Sequence, residues 1–251
     1  MSTAVRRGPV AAPSTRRGPD GGSRAGATSA GVGILLLAVL APFGILFAVD
    51  GLVTSGDPAQ TARDITASRM LFRLGIVSVL VIAAVDIVVA WGLHRVLRRT
   101  NSGLSMLAAW FRLAYSTALV IAAGHLVGAL RLLDTPPGAF STAQNQARAL
   151  SEVEAFHDVF SAGLVLFGAH LVLVGYLAHR SGFVPRVLAA LVCLAGAGYA
   201  FDGIASVLTD GAAPAVATVT FLGELLLGVW LLARGRRLDE GAFDGPVTGV
   251  G

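Results

Sequence analysis

The chain has 251 residues, 55% of them hydrophobic and only 14% charged, with a mean hydropathy of +0.73. A soluble domain carries about a quarter charged residues, so this composition excludes an ordinary water-soluble globule and points to the bilayer. All 19 basic residues are arginine, which rules out a catalytic or Schiff-base lysine, and the single cysteine, Cys193, rules out an intrachain disulfide.

In chain order, residues 1–26 are rich in Arg, Gly, Pro, Ser and Ala and show no apolar period, which predicts a disordered tail. Its two Arg-Arg pairs, Arg6-Arg7 and Arg16-Arg17, are each followed by Gly-Pro rather than by an apolar run, which argues against a twin-arginine export signal. A first span is expected over Gly31–Val49, with Pro42 kinking it or freeing a carbonyl near Ala38. Further spans are expected over Met70–Leu97, Leu104–Leu133, Val153–His179, Pro185–Leu208 and Pro214–Ala233. Each reaches the roughly 17–20 residues needed to cross a bilayer. Asp57-Pro58 and Ser141 read as helix starts in the two longer connections, and Ser181-Gly182 reads as the end of the fourth span. The expected architecture is an all-α, six-helix membrane bundle over residues 27–235, with a second disordered tail over 236–251.

The arginines set the expected orientation. Thirteen of the 19 fall in the N-terminal tail, the turns after spans two and four, and the C-terminus. The opposite side holds Arg63, Arg69, Arg73, Arg131 and Arg148, together with Asp50, Asp57, Asp64, Asp134, Glu152, Glu154 and Asp210. The positive-inside bias therefore predicts both termini in the cytoplasm of a cell that carries the protein in its membrane, in parity with six spans. It also accounts for the pI near 10.2 without a nucleic-acid partner.

Several local patterns carry a family likeness: Phe72-Arg73-Leu74-Gly75, Phe111-Arg112-Leu113, the run from Gly163 through His170, Gly175-Tyr176-Leu177, Arg180 through Arg186, Gly198-Tyr199, Asp202, and Gly223-Glu224 ahead of Trp230. Over about residues 30–235 the chain resembles the bacterial membrane-protein family known as domain of unknown function 4386. The resemblance implies a multi-pass helical membrane protein. It brings no established role for Arg73, Arg112, His170, Asp202 or Glu224, which fall on family-like positions.

Ionisable groups inside apolar spans cost about 2.5–3.5 kcal/mol each at mid-helix, so each needs a partner or a purpose. Asp86 lies 11 residues before Leu97 and Arg112 8 residues after Leu104 on successive antiparallel spans. At the rise of an α-helix that is about 17 Å and 12 Å from the same membrane face, close enough for arginine's long arm to make a structural ion pair. Nearer the midplane, Glu224 shares a helix face with Thr220 and Gly228, and a Glu224–His170 hydrogen bond is expected. Otherwise Glu224 offers a carboxylate that exchanges a proton with a substrate. Toward the outer side lie Arg73, His125, His157, Asp158 and Asp202. A ligand site in the outer half to midplane would be lined by Arg73, His125, His170, Asp202 and Glu224.

Glu154-Ala155-Phe156-His157 is one Glu-x-x-His, but di-metal bundles use two copies, and none repeats here. No metal site and no cofactor is therefore expected. There is also no phosphate-cradling loop ending in Lys and no Gly-x-Ser-x-Gly elbow. The favoured function is a membrane protein that binds or moves a small apolar or weakly charged molecule, or serves as an assembly partner in the lipid bilayer. The alternative is an intramembrane acid–base isomerase or cyclase acting on an isoprenoid-like lipid, with Asp202 and Glu224 as its catalytic carboxylates. Oligomeric state is not encoded in any readable feature.

Overall fold

The computed structural model describes residues 21–136, 138, 140–209, 216 and 221–235. Residues 1–20 of the expected N-terminal tail, the whole expected C-terminal tail, and most of the first half of the expected sixth span lie outside the described residues. Every regular element among them is a helix: α1 (Gly21–Ala41), α2 (Pro58–Ala67), α3 (Arg69–Leu97), α4 (Ser102–Asp134), α5 (Thr142–Ser181), α6 (Arg186–Leu208) and α7 (Leu222–Arg234). Five stretches are long and apolar enough to cross a membrane: Arg24–Leu52, Arg69–Leu97, Ser102–Asp134, Thr142–Ser181 and Arg186–Leu208. The described part of α7 has 13 residues. Large apolar side chains such as Val39, Met70, Trp110, Val187 and Val207 stay more than half exposed. A soluble surface would not tolerate such apolar cover, whereas lipid does. The protein is a multi-pass membrane bundle.

The first helix begins at Gly21, five residues ahead of the end of the expected disordered tail. Glycine-rich sequence has poor helix propensity, but packing overrides it. A Cβ added to Gly92 of α3 would come within 2.6 Å of the Gly26 carbonyl oxygen, so the two backbones touch. At the other end of α1, Pro42 has no N–H to donate, and the chain widens into a π-helical turn, Pro42–Phe47. The Ala48 N–H accordingly reaches back five residues to the Phe43 carbonyl, at 2.9 Å. A short 3-10 turn, Asp50–Leu52, completes this segment.

The connections stop and start as their chemistry requires. Asp57 accepts the Gln60 N–H at 2.8 Å to open α2, and Asn101 accepts that of Leu104 at 2.9 Å to open α4. Ser141 and Gln144 form a reciprocal capping box at the head of α5, whose 40 residues extend well beyond the apolar part. Gly182 ends α5 with φ of 73°, a left-handed conformation that costs glycine nothing.

The six longer helices close into a ring. α1 packs on α3, α3 on α4, α4 on α5, α5 on α6, α6 on α7, and α7 returns to α1. α2 lies against α5 and α3 at one end. Backbones approach closely along the α5–α6 seam, where added Cβ atoms on Gly168, Gly175 and Gly203 would meet the Gly196 oxygen at 2.5 Å, the Cys193 sulfur at 2.5 Å and the Ser161 oxygen at 2.6 Å. Small residues let these helices approach closely where no hydrophobic effect drives them together in lipid.

Candidate functional site

The largest fully buried side chain among the described residues is a charged one, Arg112. Its position follows from the α3–α4 register. His94 Nδ1 lies 3.1 Å from Ser105 Oγ near one end of the pair, and Arg69 bridges to Asp134 at the other. Eight residues back along α3 from His94 is Asp86, and seven forward along α4 from Ser105 is Arg112. The two meet. Arg112 Nε donates to Asp86 Oδ1 at 2.7 Å, and Nη2 lies 2.5 Å from the same oxygen. That second contact is short but poorly aligned, so Nη2 has no hydrogen-bond acceptor among the described residues and contributes charge rather than a directed bond.

The other side of the guanidinium serves two more helices. Arg112 Nη1 donates to Glu224 Oε1 of α7 at 3.1 Å and lies 3.2 Å from His170 Nε2 of α5. His170 Nδ1 is 2.8 Å from the Ala108 carbonyl oxygen, one turn before Arg112 on α4. A carbonyl only accepts, so Nδ1 carries the proton and Nε2 presents its lone pair to the guanidinium. The imidazole is therefore neutral and locked at both ends. Asp86 and His170 are each 1% exposed and Arg112 0%, whereas the Glu224 side chain keeps 14% of its surface open. Glu224 is the accessible member.

An aromatic wall stands beside the cluster. The Arg112 guanidinium carbon sits 5.0 Å above the Phe167 ring centre. Tyr115 of α4 and Tyr199 of α6 flank Phe167 at 4.8 and 4.9 Å between ring centres. A cation over an aromatic face gains about 2 kcal/mol or more when desolvated. Sequence reasoning missed these three rings. The available signal was spacing, since Phe167 precedes His170 by one helical turn and Tyr115 follows Arg112 by one, on the same faces.

Of the five residues expected to line one site, His170 and Glu224 come together, and they do so on Arg112. The expected direct Glu224–His170 hydrogen bond is replaced by two contacts to the Arg112 Nη1 nitrogen, because the guanidinium reaches between the two side chains. Arg73 is exposed on α3. His125 pairs with Glu152 of α5 at 2.7 Å, and Asp202 Oδ1 accepts the Val216 N–H at 2.9 Å. His157 lies 3.2 Å from Asp50, while Glu154 and Asp158 are exposed. Among the described residues no three His, Cys, Asp or Glu side chains gather closely enough to hold a metal ion. A shallow depression of about 390 Å³ lies elsewhere, at the α2 end, lined by residues including Arg63, Thr66, Asn145 and Gln146.

The family model described as Domain of unknown function (DUF4386) matches residues 29–235, which include every member of the cluster. The chain belongs to this family. An uncharacterised protein of Archaeoglobus fulgidus is 31% identical over 165 residues, covering 66% of this chain and 86% of the relative. No solved structure matches the chain. Within the DUF4386 region the family-like positions His170, Glu224 and Phe167 converge on Arg112 from other helices.

Proposed function

We propose that this DUF4386 protein binds and moves a small, weakly charged molecule at the centre of its helix ring, with Glu224 as the group that receives it. The observation that carries this reading is the span of one guanidinium. Arg112 on α4 and Glu224 on α7 stand on opposite sides of the ring, three helices apart in either direction. α7 packs on α1 and α6, so its polar link to the α3–α5 half is the Glu224–Arg112 contact. A ligand that takes Glu224 releases that link and frees the two halves to separate, which is what alternating exposure of a central site requires. A merely stabilising pair needs no partner from across the ring, because Asp86 already serves Arg112 on the neighbouring helix.

The same reading places the protein in the cell membrane with both termini cytoplasmic, supported by the arginine asymmetry. The acid–base enzyme reading has less support. It needs Asp202 and Glu224 facing one cavity, and the Asp202 carboxylate is engaged with the Val216 backbone.

Distance measurement between spin labels tests the gate. With Cys193→Ser as background, labels at Gly103→Cys and Arg234→Cys report on the ends of α4 and α7 that share one membrane face. Glu224→Gln removes the crossing ion pair and should broaden the distance distribution toward longer separations. An unchanged distribution in a folded Glu224→Gln protein would show that the contact does not hold the halves together, and the proposal would fall.

A further inference from the structure

We infer that the molecule received at Glu224 is a small organic cation, an amine in its ammonium form, which takes Glu224 from Arg112. This deepens the reading just given and rests on it. The argument begins with charge. Arg112 faces two carboxylates, Asp86 on α3 and Glu224 on α7, and the third partner, His170, is neutral because Nδ1 donates to Ala108 while Nε2 accepts from Arg112. The cluster thus holds one more carboxylate than cation. Surplus charge in a low-dielectric interior is costly and is met by a counter-charge. An anionic ligand would add to the surplus and would compete for Arg112 with two carboxylates that the fold holds in place.

The surroundings agree with the sign. Phe167 already carries a cation on its face in Arg112, and Tyr115 and Tyr199 extend the aromatic surface beside it. Aromatic faces recognise ammonium groups, and they do so best where water is excluded. Access is also uneven in the required way. Glu224 is the partly open member, so it is the one an incoming cation reaches while the other three stay buried.

The test uses the full chain in lipid nanodiscs, with thermal unfolding followed by fluorescence of Trp91, Trp110 and Trp230. Methylammonium, tetramethylammonium and acetate are titrated at fixed pH and matched ionic strength. Saturable stabilisation by either ammonium ion, weakened about tenfold or more in Glu224→Gln, with no response to acetate, is the expected result. Stabilisation by acetate alone, lost in Glu224→Gln, would overturn the cation assignment and leave the site standing. An ammonium response unchanged in Glu224→Gln would overturn both. No ammonium response, with or without a difference in the pH dependence of unfolding between wild type and Glu224→Gln, would also overturn the organic cation, in the former case in favour of a proton. Glu224→Asp keeps the charge on a shorter arm and covers the case in which Glu224→Gln does not fold. Retained ammonium stabilisation in that variant supports the proposal, and its loss counts against it.

Discussion

Arg112 has three kinds of partner, and substitution separates them. Asp86→Asn takes away the nearer carboxylate but leaves Glu224 as counter-charge at 3.1 Å, so it should cost less than the about 3–5 kcal/mol of breaking a buried pair outright. Arg112→Gln strands two carboxylates and should cost that full amount. In a double-mutant cycle the paired change should lose clearly less than the two single losses added together, as read from thermal unfolding in nanodiscs. Strict additivity would show that the contact carries no coupling. Arg112→Lys is the sharper probe. An ammonium keeps the charge but lacks the planar fork, so it cannot meet Asp86, His170 and Glu224 at once. It should therefore melt well below wild type, and a lysine variant of wild-type stability would reduce the cluster to a simple charge pair. The four polar members stand out in the sequence because each interrupts an apolar span. Their meeting on one guanidinium does not, since it depends on α7 coming round to face α4. The aromatic wall was hidden for another reason. Phe167, Tyr115 and Tyr199 are unremarkable residues in a membrane helix until the cation beside them is placed.

At the level of elements, the α5–α6 seam makes the firmest prediction. Gly168 faces the Gly196 carbonyl so closely that a larger side chain must push the helices apart. Gly168→Leu should destabilise by about 1–3 kcal/mol or more. Gly124 of α4 has no atom within 4 Å of its added Cβ, so Gly124→Ala should be neutral or stabilising by up to about 1 kcal/mol. Comparable melting temperatures for the two variants would refute close packing at the seam. The head of α5 is a second test. Ser141→Ala removes one half of the capping box and should cost about 1 kcal/mol, visible as faster amide exchange over the first turns of α5. The spans were legible because length, apolarity and boundary residues all agree. The start of α1 was not, because a glycine-rich stretch looks disordered until the matching glycine on α3 is seen beside it.

For the whole molecule, topology is the property the sequence speaks to most directly. On the expected six-span topology thirteen of 19 arginines fall on one side, so reporter fusions after Arg99 and after Arg237 should both give a cytoplasmic signal. An extracytoplasmic signal at either position would reverse or break the assignment. The ring itself was not legible. Nothing in the spacing of the apolar stretches says that the last helix returns to the first, and the residues that make that contact, Gly31 and Ile34 against Gly228 and Leu232, are small or plainly apolar.

That closure gives the chain a timetable. Helices enter the membrane in the order of their synthesis, and neighbours associate as they arrive. Arg112 emerges after Asp86, so its charge is neutralised inside a single hairpin at the moment it must leave the translocation machinery. His170 follows 28 residues after the start of α5 at Thr142, and Glu224 arrives last of all. Once synthesis has carried Leu208 into the membrane, Arg112 already has Asp86 and His170 for partners, while α1 still shows an empty flank where α7 belongs. Chains released at that point would look well folded around the cluster and unfinished at the rim, and the rim is where a membrane protease or chaperone would tell them from complete ones.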